Sequence, residues 1–376
     1  MRGARWQLER SGLEEFLQRD ALAKGESLWS DAWRRLKENR GAYASLWFLA
    51  LVALVSILAP VLPLPSPMAL DLQDEPQPPT WPWESFGSQG YDVDTREHFL
   101  DAWDPSALDR QLVGLRVAVF GDWQTGHWLG TDAKGRDIAS RIVWGSRVSI
   151  LVAISATLCS LLIGVSYGAL SGYLGGRVDN LMMRFVDVLY SVPFVFVVIF
   201  LITVLAEYRV ERVTPTGEVL SLTLEEAHGI DKTWIFFVVI GAIYWLTMAR
   251  VVRGQVLSLK HAEFVEAARV LGASTARILF VHLVPNVLSV VIVYLTLTIP
   301  AIMLFEAFLS FLGLGVEPPK VSWGLLAVDT TEAINPIKTF WWLIAWPAAA
   351  MGSTLLALNV LGDGLRDALD PKLRGR

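Results

Sequence analysis

Glu263-Phe264-Val265-Glu266-Ala267-Ala268-Arg269-Val270-Leu271-Gly272-Ala273-Ser274-Thr275-Ala276-Arg277, running on to His282-Leu283-Val284-Pro285-Asn286, decides how the chain is built. The stretch lies between two strongly apolar runs and shares its segment with Arg250, Arg253 and Lys260. A loop this rich in cations between membrane spans is expected on the cytoplasmic side. Phe264, Ala267, Ala268 and Leu271 fall at i, i+3, i+4 and i+7, which draws an apolar stripe along a short helix. Gly272 stands where that helix would stop in a left-handed cap, and Ser274 can cap a second short helix ending before Pro285. The expected product is a helix, a glycine elbow and another helix: a knuckle too small to fold alone and too apolar on one face to stay solvated.

Glu266-Ala267-Ala268, Gly272 four residues on and Pro285 at the foot of the next apolar run resemble the EAA loop of ABC importer permeases. The exit His282-Leu283-Val284-Pro285 departs slightly from that family's Ile-x-Leu-Pro ending. The resemblance implies that residues 255–285 are a coupling loop seated in a cleft of an ATPase, with Glu263, Glu266, Ala267, Ala268 and Gly272 at the contact.

Composition sets the class. Of 376 residues 53% are hydrophobic, with 16 tryptophans, and the mean hydropathy is +0.44, well above the apolar share of soluble domains. A net charge of −5 offers no broad basic surface for nucleic acid. Cys159 is the single cysteine, so neither an intrachain disulfide nor a thiolate metal cluster is expected.

In chain order, residues 1–42 read as a cytoplasmic segment. In it Leu28, Trp29, Ala32, Trp33 and Leu36 form a helical stripe suited to the inner headgroup layer. Residues 43–65 make a first span. Residues 66–146 read as an extracytoplasmic lobe, proline-rich at its start, acidic, and aromatic enough to pack. The lobe ends in Gly130-Thr131-Asp132-Ala133-Lys134-Gly135-Arg136-Asp137, whose glycines exclude a regular helix and whose aspartates can cap the helix that follows. No G-x-x-x-x-G-K-[ST] spacing occurs in the chain, so no Walker-type ATPase is encoded. The octet resembles the signature that precedes the second span in the C-type permease of oligopeptide, dipeptide and nickel importers.

Residues 147–362 form the expected core, with five further spans, and 363–376 a cytoplasmic tail. Gly164, Gly168 and Gly172 make a groove for close helix approach. Gly164-Val165-Ser166-Tyr167-Gly168 matches a hydrolase nucleophile elbow in letters only, because an elbow needs a strand before it and Ser166 sits within a continuous apolar helix. Arg184 and Asp187, three apart near the inner end of the third span, are expected to pair with each other. The fourth span, Trp234 to Val252, would deliver Arg250 and Arg253 to the inner face. Residues 206–233 read as a second outer loop turning at Pro215-Thr216-Gly217.

Glu306, inside the fifth span, is costly in hydrocarbon and is expected to face the translocation path or a partner helix. It opens the run from Glu306 to Pro319, followed by Ser322-Trp323-Gly324, which also resembles the C-type permeases, as does Gly362 to Pro371. Cations on the inner segments number nine, two, five and four against seven, three and two on the longer outer ones, placing both termini inside.

Together these readings describe an all-α integral membrane protein of six spans with the type I ABC importer permease fold and an enlarged first outer loop. The resemblance implies a prokaryotic inner-membrane subunit that performs no chemistry and holds no cofactor, ATP being bound elsewhere. It implies as partners a homologous permease, two ATPase subunits, an extracytoplasmic substrate-binding protein and membrane lipid. A secondary transporter without an ATPase is the rival reading. It would need ionisable or broken-helix sites at the midplane in matched halves, of which only Glu306 comes near.

Overall fold

The computed structural model describes residues 28–70, 76–80, 100, 106–121, 123–207, 209–213, 219–223, 232–316, 318, 320–330 and 338–369. Residues 1–27, most acidic and aromatic residues of the first outer segment, the turn at Pro215-Thr216-Gly217 and residues 370–376 lie outside that set.

Five helices are long and apolar enough to cross a membrane. A bent pair, Gly176–Ser191 and Phe194–Val204 at 83°, makes a sixth when the two are counted as one span. The bend falls at Val192 and Pro193, where the proline lacks the N–H that would continue the helix. In chain order the helices are α1 (Leu28–Glu38), α2 (Arg40–Ile57), α3 (Ala107–Phe120), α4 (Ile138–Leu174), α5 (Gly176–Ser191) and α6 (Phe194–Glu207). There follow a two-stranded antiparallel hairpin, β1 (Arg209–Val213) and β2 (Val219–Thr223), then α7 (Lys232–Leu259), α8 (Glu263–Val270) and α9 (Thr275–Arg277). A π-helical turn (Ile278–Leu283), α10 (Val284–Phe311), α11 (Trp323–Asp329) and α12 (Trp341–Leu369) complete the described elements. The hairpin gives the second outer loop regular structure that its polar sequence did not announce.

Several boundaries differ from the sequence reading, each for a local reason. The first span stops at Ile57 rather than residue 65, in a turn running into Pro60 and Pro63. Helix α4 begins at Ile138, inside the expected lobe. Its 37 residues reach about 55 Å, nearly twice a hydrocarbon core, so the helix is longer than a crossing needs. Helix α7 runs on to Leu259, which leaves Arg250 and Arg253 within the helix and not at its end. No stop precedes Pro285: the wider π turn over Ile278–Leu283 carries the chain into α10 and makes room for a proline in the first turn of that helix.

Helices α4 and α7 form the central pair. A Cβ built on Gly164 would lie 2.6 Å from the Met248 Cβ, and one on Gly172 would lie 2.9 Å from the Arg253 carbonyl oxygen. Gly168 meets the backbone of Ala249 equally closely, and from the other side Gly241 packs on Cys159. The glycine groove is therefore filled along its length, by α7, as small residues permit in lipid. Helix α10 closes both halves of the core. In one half Ile302, Met303 and Leu309 join Val148, Val152, Phe237 and Ile240. In the other Val287 and Val291 join Val165, Met248, Val252 and Val256.

Part of the stripe of α1 is covered by protein. Ala32 and Leu36 pack on Ala42 and Ala368, at the junction of α2 with the end of α12, while Trp33 stays exposed beside Lys37.

Candidate functional site

The knuckle hangs from the end of α7. Glu263 and Glu266 sit in the first turn of α8 and Arg269 in its last, the order the helix dipole favours. Gly272 is at φ +79, with its N–H bonded to the Arg269 carbonyl and the Ala273 N–H to the Ala268 carbonyl. That pair of bonds is a Schellman cap, which needs a residue free to adopt positive φ. Ser274 caps α9, its Oγ accepting from the Arg277 N–H at 3.3 Å.

The structure divides the apolar residues of the knuckle between two faces. Val265 and Ala268 turn inward onto Ile278, Leu279 and Leu283 and thence to Val252 and Val256 toward the C-terminal end of α7. Phe264, Ala267 and Leu271 of the expected stripe point outward, as do Glu263 and Glu266. Only Ala268 of that stripe is buried within the chain. Val270 and Leu271, at 87% and 86% exposure, project from the elbow with no covering. The knuckle is thus clamped to the core by one face and offers the other.

Polar ties brace the end of the core behind it. Arg253 forks onto Asp179 with two bonds of 2.6 Å, and the Ser171 hydroxyl donates to the same carboxylate. The Arg269 guanidinium lies 5.8 Å from the centre of the Tyr173 ring. Asp187 pairs at 2.7 Å with Arg250 of α7, so the expected Arg184–Asp187 pair gives way to a contact between helices.

At the opposite end, the octet before α4 makes an ionic knot. The Asp132 carboxylate accepts from the backbone N–H groups of Lys134 and Arg136, from Arg136 Nε at 2.7 Å and from Arg141 Nη1 at 2.6 Å. Both arginines also reach Asp329 at the end of α11, at 3.1 and 2.6 Å. Asp137 caps α4 through the Ser140 N–H at 2.6 Å and holds His127 Nδ1 at 3.0 Å. Gly130 is at φ +86 because Gln77 and the Trp342 ring leave no room for a side chain.

Glu306 is 1% exposed and has partners inside the chain. Its carboxylate accepts from Ser310 at 2.8 Å and from Ser149 of α4 at 3.1 Å, and Ser322, which caps α11, stands close by. The Ser149 hydroxyl takes the Trp323 N–H at 3.1 Å, and a Cβ on Gly324 would come within 2.9 Å of Glu306 Oε1. The expectation that Glu306 lines the path is therefore not what its geometry offers, because neither lipid nor open surface reaches it. Helix α11 is instead fastened at its start by the Glu306 cluster and at its end by the Asp132 knot. Asp329, Ser149 and Ser322 escaped sequence reasoning. The sole signal was the recurrence of serine and aspartate in otherwise apolar surroundings.

Nothing in these sites has the layout of catalysis. Ser166 lies in mid-helix in α4, and among the described residues no group of three or more His, Cys, Asp or Glu side chains could hold a metal.

Comparison with known proteins adds an independent line. The family described as binding-protein-dependent transport system inner membrane component matches residues 164–375, and the N-terminal TM domain of oligopeptide transport permease C matches residues 27–79. The chain is 41% identical over 351 residues to the oligopeptide transport system permease protein OppC of Escherichia coli strain K12, covering 93% of each chain. It is 39% identical over 351 residues to OppC of Haemophilus influenzae, covering 93% of this chain and 91% of that one. To the dipeptide transport system permease protein DppC of Bacillus subtilis strain 168 it is 36% identical over 348 residues, 93% and 87% of the two chains. The broken third span, the knuckle between α7 and α10 and the matches over nearly the whole length lead to one conclusion: the chain belongs to the family of inner membrane components of binding-protein-dependent transport systems.

Proposed function

We propose that this chain is one of two permease subunits of an ATP-driven peptide importer, and that it couples to its ATPases through the outward face of residues 263–272. The observation that carries the reading is the exposed apolar elbow. Val270 and Leu271 are covered by none of the described residues, yet the helix bearing them is fixed to the core by Val265, Ala268 and a Schellman cap. A rigid mount with an uncovered apolar tip suits a lever seated in a partner's cleft. Glu263 and Glu266 flank that tip and supply charge for its register, and Gly272 sets the angle of entry.

In this reading the knuckle is cytoplasmic, as are both termini, and α3, the 130–137 octet, the β1–β2 hairpin and α11 face outward toward a substrate-binding protein. ATP is bound and hydrolysed by the partner subunits, and no cofactor is held here. The chain contributes differential stability of inward and outward states, which partners bias by binding one better than the other. Peptides as cargo follow from the names of the oligopeptide and dipeptide permeases it resembles.

The test is reconstitution with the companion permease, ATPases and binding protein in proteoliposomes. ATP hydrolysis stimulated by binding protein loaded with a short peptide supports the proposal. Stimulation by a nickel chelate but by no peptide would reassign the cargo, and full peptide uptake without any ATPase would return the chain to the secondary transporters.

A further inference from the structure

The bilayer should be met by apolar side chains, yet one face of three helices breaks that rule in the half of the core nearer the knuckle. Thr247 lies twelve residues, about 18 Å, before Leu259 at the end of α7. Arg250 is three residues further, about 4.5 Å along the axis. With Thr247 and Gly254 it occupies the side of α7 turned away from Met248, Ala249, Val252 and Val256, which are buried against the core. Helix α5 brings Asp187 and Tyr190 to that side, and α10 brings Tyr294.

These groups are joined and also open. Asp187 and Arg250 pair at 2.7 Å with side chains 63% and 42% exposed. The Arg250 guanidinium lies over the Tyr190 ring at 4.0 Å, the Tyr190 hydroxyl bonds to the Thr247 hydroxyl, and Tyr294 stands beside both. Charged side chains within a span normally face a bundle interior or a watery cavity, because lipid penalises them heavily. Here the chain's own interior is on the other side of the helix. No such open ion pair accompanies Glu306, which is sealed.

We infer that Asp187, Tyr190, Thr247, Arg250 and Tyr294 line the translocation path and touch the peptide in transit, an inference that rests on the peptide-importer reading above. The chemistry specifies the ligand class. Hydroxyl groups on Tyr190, Thr247 and Tyr294 serve peptide backbone donors and acceptors of any sequence. The Asp187–Arg250 pair cancels its own charge, so the lining carries no net field and admits peptides whose side chains are acidic, basic or neutral. Removing one member unmasks the other and makes the path selective by sign.

The test pairs two neutralising variants with three peptides of equal length, one acidic, one basic and one neutral, in proteoliposomes of the full complex. Asp187→Asn leaves Arg250 uncompensated and is expected to change the acidic-to-basic uptake ratio by about tenfold in favour of acidic peptide. Arg250→Gln is expected to shift the ratio the opposite way. A purely structural pair would lower all three peptides together, and that result overturns the inference. Water access is read separately with Thr247→Cys in a Cys159→Ala background, using a charged, membrane-impermeant thiol reagent. Labelling slowed severalfold by saturating peptide-loaded binding protein is the expected outcome. No labelling, labelling indifferent to peptide, or an efficient disulfide to a cysteine on the companion permease would each place this face elsewhere than on the path. Because the parent is measured with the same peptides, parental uptake with unshifted variants counts against this inference alone. Absence of parental peptide uptake counts against the cargo assignment, while the thiol readout still reports whether the face is wet.

Discussion

Replacing Glu306 by leucine tests the outer fastening of α11 with little change in side-chain volume. The carboxylate receives hydroxyl protons from Ser310 at 2.8 Å and Ser149 at 3.1 Å, all three residues being buried. A buried donor stripped of its acceptor costs about 1–3 kcal/mol. Ser149 and Ser310 sit in helices and can turn back to the carbonyls four residues earlier, which offsets much of their share. Trp323, whose N–H is held by Ser149, loses the precise placement of its acceptor. The expected total is about 1–3 kcal/mol for Glu306→Leu, and less for Glu306→Gln, which keeps one acceptor oxygen. The assay is thermal unfolding of the purified complex in nanodiscs, together with protease cutting in residues 312–322. Glu306→Leu should unfold earlier and be cut faster, with Glu306→Gln between it and the parent. A leucine variant as stable and as resistant as the parent would refute the fastening.

Asp329→Asn removes one of two carboxylates from Arg136 and Arg141, the latter 1% exposed, and should cost about 3 kcal/mol or more on thermal unfolding; adding Asp132→Asn should cost less than the two single losses summed, and strict additivity would deny the knot. Gly168→Val should force α4 from α7 where a side chain meets the Ala249 backbone, lowering stability by about 1–3 kcal/mol and yield in the membrane accordingly; wild-type stability would show that the pair can part without penalty. At Gly272 a side chain meets open space, so only backbone strain operates. Gly272→Val should cost about 1–2 kcal/mol and Gly272→Asn clearly less, and equal losses would mean that φ +79 is not held in the working protein.

What was legible in the chain were features whose cause is local. Gly272 ends a helix, Asp137 begins one and Ser274 begins another, because caps are written within four residues. The four-residue spacing of Gly164, Gly168 and Gly172 announced a close approach, though not that Met248, Ala249 and Val256 would fill it. Features depending on distant partners were not legible. Local spacing set Arg184 beside Asp187, whereas Asp187 is taken by an arginine 63 residues away. Hydropathy flagged Glu306 as expensive but not the serine 157 positions earlier that makes its burial tolerable. The knuckle misled in a different way. It is apolar on both sides, and periodicity finds Phe264, Ala267 and Leu271 as readily as Val265 and Ala268 without saying which set the chain itself covers. Helix ends within the polar flanks, such as the first turns of α4, were read as loop because composition there reports solvent and not conformation.

The exposed tip of the knuckle offers the most direct measurement. Leu271 is 86% exposed and is not part of either core cluster, so Leu271→Asp should leave insertion, folding and pairing with the companion permease unchanged. If the tip is buried in an ATPase cleft, the variant forfeits about 1.5–3 kcal/mol of apolar contact, roughly a ten- to hundredfold loss of affinity. Purification through the permease pair should then recover far less ATPase, and hydrolysis in proteoliposomes should cease to respond to peptide-loaded binding protein, with Glu266→Lys behaving alike. Leu271→Asp and Glu266→Lys complexes that keep their ATPases and couple like the parent would contradict the coupling role and reduce residues 263–272 to a connector.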